Sequence, residues 1–119
     1  MKLETKYNIG YEFWVPRVIN KHYKEVVTVD GKEYYRDYNI LEITARHKIV
    51  DHIEIRIGDN TTKFKYYCVN FDDRNGWAKI YSESDMTFTN YDSAMDFARL
   101  WRLREGTEYF GGNDDEDRN

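Results

Sequence analysis

From Tyr7 to Tyr81 apolar residues mostly alternate with polar ones, the period of two that sends successive side chains to opposite faces of a strand. Tyr11, Phe13 and Val15 share one parity, and Glu12, Trp14 and Pro16 the other. Pro16 predicts an edge position or a bulge, because proline has no N–H to donate to a ladder. A second run, Tyr23 to Val29, ends at Asp30-Gly31, a pair that tolerates positive φ and suits a two-residue hairpin turn. A third strand climbs from Glu33 through Tyr35. Beyond it, Ile43, Ala45, His47 and Ile49 share a parity with Ile53, Ile55 and Ile57. Val50-Asp51-His52 interrupts that pattern, so Leu41 to Ile57 is either two strands or one long bent strand.

Gly58-Asp59-Asn60 has turn chemistry, and Lys63 to Phe71 is apolar on both parities at its centre, as a strand covered on both faces would be. Asp72 to Gly76 then forms a hairpin loop, with Trp77 to Tyr81 as the returning strand. After that the period changes. Thr89 and Asp92 stand at capping-box spacing, and Tyr91, Ala94, Met95, Ala98 and Trp101 recur at the i, i+3, i+4, i+7 spacing of a helix face. Phe97, Leu100 and Leu103 widen that face. Arg102 and Arg104 oppose the helix dipole before Gly106, which sits where a C-terminal cap belongs. The predicted fold class is α+β: a small antiparallel sheet, SH3-like or curved, of five to seven strands with one C-terminal α-helix. Residues 1–112 make a single domain, and 113–119 an acidic disordered tail.

Tyr7-Asn8-Ile9-Gly10-Tyr11-Glu12-Phe13-Trp14-Val15 resembles the Y-x-I-G-D-x-V-W opening strand of small SH3-like barrels common among short phage and prophage proteins. Glu83 to Thr89, followed by Ala94-Met95-Asp96-Phe97-Ala98, resembles their strand-to-helix closure, which reads A-x-x-F-A. Tyr11 stands where that pattern has Asp, and Phe13 where it has a β-branched residue. The resemblance implies a phage-type context, hence a host-cell cytoplasm, and carries over no catalytic residue.

Charge changes the picture only at the end of the chain. The 119 residues carry 18 bases and 22 acids, a net charge of −4. Removing the four acids and one base of Asp114 to Asn119 leaves 18 acids against 17 bases. A body so close to neutral argues against autonomous nucleic-acid binding, which needs a clustered basic face. No apolar run reaches the roughly 18–20 residues of a membrane span, and no signal segment opens the chain. One cysteine excludes a disulfide scaffold and suits a reducing compartment, so the cytoplasm is expected.

Candidate chemistry is thin. His22, His47, His52 and Cys68 lack the close spacings of a zinc motif, and on one straight strand His47 and His52 would face opposite ways. Cys68, between Tyr67 and Val69, reads as a small buried hydrophobe. Glu83 and Asp85 read as a turn before the helix, not as paired acid–base groups. No phosphate loop or nucleophile elbow is present. No metal, cofactor or catalytic residue is expected.

The aromatic content is the remaining signal: 11 Tyr, 6 Phe and 3 Trp, or 17% of the chain. Small sheets use aromatic cross-strand pairs to build a core, yet Tyr, Trp and Arg also dominate binding hot spots. Tyr34, Tyr35, Arg36, Tyr38, Tyr66, Tyr67, Arg74 and Trp77 are therefore the candidate binding residues. The leading expectation is a non-enzymatic phage-type protein that inhibits a host protein, such as a defence effector. The alternative is an oligomeric sponge that holds a nucleotide-derived signal between aromatic and Arg side chains. Exposed edge strands also predict a homodimer.

Overall fold

A computed structural model of the protein describes residues 4–111, so the acidic segment 113–119 lies outside the described residues. Five strands form one antiparallel sheet: β1 (Glu12–Val29), β2 (Lys32–Ile57), β3 (Thr62–Asn70), β4 (Lys79–Tyr81) and β5 (Tyr109–Phe110). A 3-10 turn (Glu83–Met86) and helix α1 (Tyr91–Glu105) lie between β4 and β5. The strand order is β4-β3-β2-β1-β5. β4 and β5 stand at opposite edges and do not pair, so the SH3-like barrel suggested by the chain's two ends is corrected to an open sheet.

The first two expected strands are one. Pro16 sits inside β1 opposite Ala45 without interrupting it. The Trp14 N–H points away from β2, to the Phe88 carbonyl at 2.8 Å. Two residues on, the proline nitrogen faces the same outer side, where no ladder bond with β2 is lost. β2 is likewise one strand of 26 residues. Its register against β3 shifts between Val50 and His52, which marks Asp51 as a bulge with no partner of its own.

That bulge moves side chains across the sheet. Ile43, Ala45 and His47 pair with Val18, Pro16 and Trp14 on the face that α1 covers. Beyond Asp51, Ile53 and Ile55 pair with Tyr66 and Phe64 on the other face. There Phe13, Val15, Val50, Tyr66, Cys68, Tyr81 and Met86 form the buried core, with Ile53 and Phe64 packed against it. Tyr7 and Tyr11 close the same layer, their rings stacked at 4.3 Å, and the Tyr11 hydroxyl donates to the Met86 carbonyl at 2.8 Å.

On the opposite face α1 packs against β1 and β2, burying Ala94, Met95 and Ala98. Its cap is Asn90 and not Thr89: the Asn90 Oδ1 accepts the Ser93 amide at 2.8 Å. Gly106 ends it in the left-handed region at φ 63°, as its position after the arginines predicted. Trp101 is only partly buried and Tyr91 is largely exposed, so the buried stripe is narrower than the spacing suggested. Trp77 also departs from expectation, since β4 begins at Lys79 and leaves the indole 93% exposed.

Deleting Asp51 leaves Val50, His52 and Ile53 in regular alternation opposite Cys68, Tyr67 and Tyr66, so Ile53 keeps its place in the core layer and the urea midpoint should stay nearly unchanged. Ile53→Ala, which removes side-chain volume from that layer, should cost about 2 kcal/mol, the lower end for emptying a buried aliphatic site, read as a lower urea midpoint. A Cβ added at Gly111 would lie 2.5 Å from Val15 Cγ1. Gly111→Ala should therefore cost about 1–3 kcal/mol by overpacking, in the same melts.

Candidate interaction surface

β1 and β2 run past the rest of the sheet. β5 pairs only with Arg17 and Val18, and β3 pairs with β2 only from Lys48 onward. The segment from Lys21 to Ile40 is therefore a two-stranded arm, about 30 Å long at ~3.3 Å per residue. It helps stretch the molecule to 77 × 32 × 26 Å. Asp30 and Gly31 turn it with φ of 52° and 76°, the doubly positive geometry of the turn that matches strand twist.

Charges on the arm largely satisfy one another. Lys21, Lys24, Lys32 and Arg36 balance Glu25, Asp30, Glu33 and Asp37. Arg36 pairs with Glu25 across the strands and lies 5.4 Å over the Tyr38 ring. His22 Nε2 lies 3.6 Å from Asp37, and its Nδ1 lies 3.1 Å from Asn39. Lys21 reaches Glu42 at 3.5 Å. Tyr23 donates to Glu42, a bond that holds the phenol above its ordinary value, and it stacks on Tyr38 at 5.7 Å. What the ladder leaves uncovered is apolar. Val27 opposes Tyr34 on one face and Val26 opposes Tyr35 on the other; all four are exposed, Tyr35 to 74%.

The structure divides the candidate binding residues among four places. Tyr34, Tyr35, Arg36 and Tyr38 lie together on the arm. Tyr66 is a core residue, 1% exposed, whose hydroxyl donates to Glu83 at 3.0 Å; it is corrected from binding candidate to packing residue. Tyr67 lies on the other face, stacked at 4.4 Å on His52 and donating to Glu54 at 3.0 Å. Arg74 lies 4.7 Å over the Phe71 ring, in the loop that also carries Trp77. Composition did not single out Val26, Val27 or Ile40. The clue was apolar residues on both parities on either side of Asp30-Gly31, as in Val26-Val27 and Tyr34-Tyr35.

Near that loop, Trp14, His47 and Phe71 form a ring stack with centroid spacings of 4.4 and 4.2 Å. It borders an open cavity of about 630 Å³ rimmed by Asp72 and Asp73. Glu12 holds the outer edge of His47 at 2.9 Å. These rings spend their faces on one another. The bulge also places His52 on the same face as His47, unlike a straight strand. Among the described residues no His, Cys, Asp or Glu group is arranged to hold a metal. No described helix is long and apolar enough to cross a membrane. Cys68 is fully buried, and burial pushes its thiol up to about 12.

Comparison with protein families, with curated proteins and with solved structures finds no match. The resemblance of the chain ends to phage proteins is corrected on that finding and on the open sheet: what stands is an antiparallel five-stranded sheet with one helix.

Cys68 supplies a pH test. Its thiol stays protonated in the native state to about 12, whereas the unfolded thiol ionises near its ordinary value of 9.0. Unfolding then releases a proton, so the Cys68 contribution to stability falls as pH rises from about 9 toward 12. Urea melts at pH 8 and pH 10 should show a steeper loss for the native chain than for Cys68→Ala. Ellman's reagent should leave the folded thiol unmodified at pH 8.

Proposed function

We propose that this protein is a non-enzymatic binding module that engages a protein surface through its β-arm. The observation that carries the reading is the arm itself: its charges balance, and the cross-strand pairs Val26/Tyr35 and Val27/Tyr34 are exposed among the described residues. A lone two-stranded hairpin is marginal in water, so an apolar contact along it would stabilise both the arm and the complex. Tyrosine suits that role, offering a large rigid face at low entropic cost. Four bases against four acids give the arm no electrostatic pull toward nucleic acid or an anionic membrane. The single buried cysteine supports a reducing compartment such as the cytoplasm.

A nucleotide-derived ligand finds less support. The cavity nearest Arg74 is rimmed by two aspartates, and its aromatic faces are already stacked on each other. Arg46 lines the same cavity, so a phosphate would meet both signs of charge there.

Capture by immobilised protein tests the reading. The native chain should retain a discrete protein partner, and Val26→Asp with Tyr35→Asp should lose it at least tenfold with little change in urea midpoint. Equal retention by the arm variant, or no partner above background for the native chain, would overturn the proposal.

A further inference from the structure

On the core face of the sheet the ladder sets Phe13, Val15, Arg17, Ile19 and Lys21 of β1 beside Lys48, Arg46, Thr44, Glu42 and Ile40 of β2. The buried apolar cluster takes in Phe13 and Val15 and no later residue of β1. Past Val15 the face becomes a hollow of about 580 Å³, lined by Arg17, Ile19, Lys21, Glu42, Thr44 and Arg46. This stretch carries four bases, Arg17, Lys21, Arg46 and Lys48, to one acid. That acid, Glu42, is engaged by Lys21 at 3.5 Å and by the Tyr23 hydroxyl. Arg17 and Lys48 are only 3% and 1% exposed. Taking such cations out of water is costly unless acids meet them.

The chain delivers acids to this place. Phe110 of β5 pairs with Arg17. The next residue, Gly111, is buried against the Val15 side chain, where a Cβ would lie 2.5 Å from Val15 Cγ1. Val15 is ringed by the cations: Arg46 is its partner across the ladder, Arg17 is two residues along β1, and Lys48 is two residues along β2 from Arg46. Each therefore stands within about 5–10 Å of it by strand spacing and rise. The sequence runs on from Gly111 as Gly112-Asn113-Asp114-Asp115-Glu116-Asp117. At ~3.3 Å per residue, Asp114 has a reach of about 10 Å from Gly111 and Asp117 about 20 Å, enough to span all three cations. The signs and sizes of charge match as well. Three net positive charges on the face meet three net negative charges in Asp114 to Asn119.

We propose that the hollow beside Arg17, Thr44 and Arg46 is a binding site for an acidic peptide segment, and that Asp114–Asp117 of the same chain is its occupant. The segment then straps the sheet from β1 toward β2 and extends the core layer past Val15 by ion pairing. The arm tip takes no part in the contact, so the strap stands or falls apart from the arm's role in binding.

Amide ¹⁵N–¹H NOEs of the full native chain test the strap. Those of Asp114 to Asp117 should equal the values along β1, and Arg46→Gln should bring them down to the level of a free chain end. Arg46 is only partly buried, so the values along β1 should not change in that variant. Disulfide closure gives a second measurement. Thr44→Cys with Asp115→Cys should close within one chain about tenfold faster than Leu103→Cys with Asp115→Cys, the gain of a held segment over a merely tethered one. Leu103 is 81% exposed on the helix, which covers the opposite face, and the native thiol is buried and does not compete. Free-end NOEs at Asp114 to Asp117 in the native chain, or equal closure by the two cysteine pairs, would overturn the strap. So would NOEs that stay high in Arg46→Gln, because the cation would then not be what holds the acids.

Discussion

Alternation along a strand would keep Ile43, His47, Ile49, Ile53 and Ile57 on one face if β2 ran 26 residues without a break. Leaving Asp51 out of the ladder prevents this, and the two layers depend on that. On its N-terminal side, Ile43 and Ala45 serve the helix layer. On its C-terminal side, Ile53 joins Tyr66 and Phe64 in the layer closed by Tyr7, Tyr11 and Met86. One residue thus allows a single strand to contribute to opposite faces in turn. The same continuity carries β2 out of the core and into the arm, so the arm inherits its register from the buried rungs.

The helix was the most legible part of the chain because its signals are local: a periodic apolar stripe, arginines in the last turn and a glycine at the left-handed cap. Even there Thr89 and Asn90 both offer a capping oxygen, and sequence spacing alone could not choose between them. The strands were legible in kind but not in extent. Alternation does not show where pairing stops, and Pro16 ends a strand only when its nitrogen faces a neighbour that needs a donor. The interruption at Val50-Asp51-His52 was visible, but its consequence was not, since parity in sequence says nothing about faces once a bulge intervenes.

The tyrosines mark the limit of sequence reading for the site. Tyr34, Tyr35, Tyr66 and Tyr67 sit in adjacent pairs on strands of similar composition. Tyr66 is buried because Phe13, Tyr81 and Met86 meet it from distant parts of the chain; Tyr35 is exposed because β3 and β5 stop short of it. Burial here is a property of what lies opposite. The lysines, glutamates and arginine of the arm add a second constraint, since charged residues along both open edges oppose indiscriminate strand pairing. Attraction is thereby left to the apolar rows on the faces, a more selective surface than a bare backbone edge.

The two-residue turn at Asp30-Gly31 bears on the order of folding. Every rung of the β1–β2 ladder adds two residues of sequence separation to the one before, from Val29 with Lys32 out to Glu12 with Ile49. The hairpin can therefore close like a zipper, with no large loop to restrain at any step, on the microsecond scale of hairpin formation. The helix and β5 can dock only on rungs made after those of the arm, because Val18 and Leu41, which receive Tyr109 and Arg102, lie beyond Lys21 and Ile40 on that ladder. The arm is then the first part of the chain to take shape and the last to gain cover. Its exposed tyrosines are present throughout folding, and the nascent protein must remain soluble while they are.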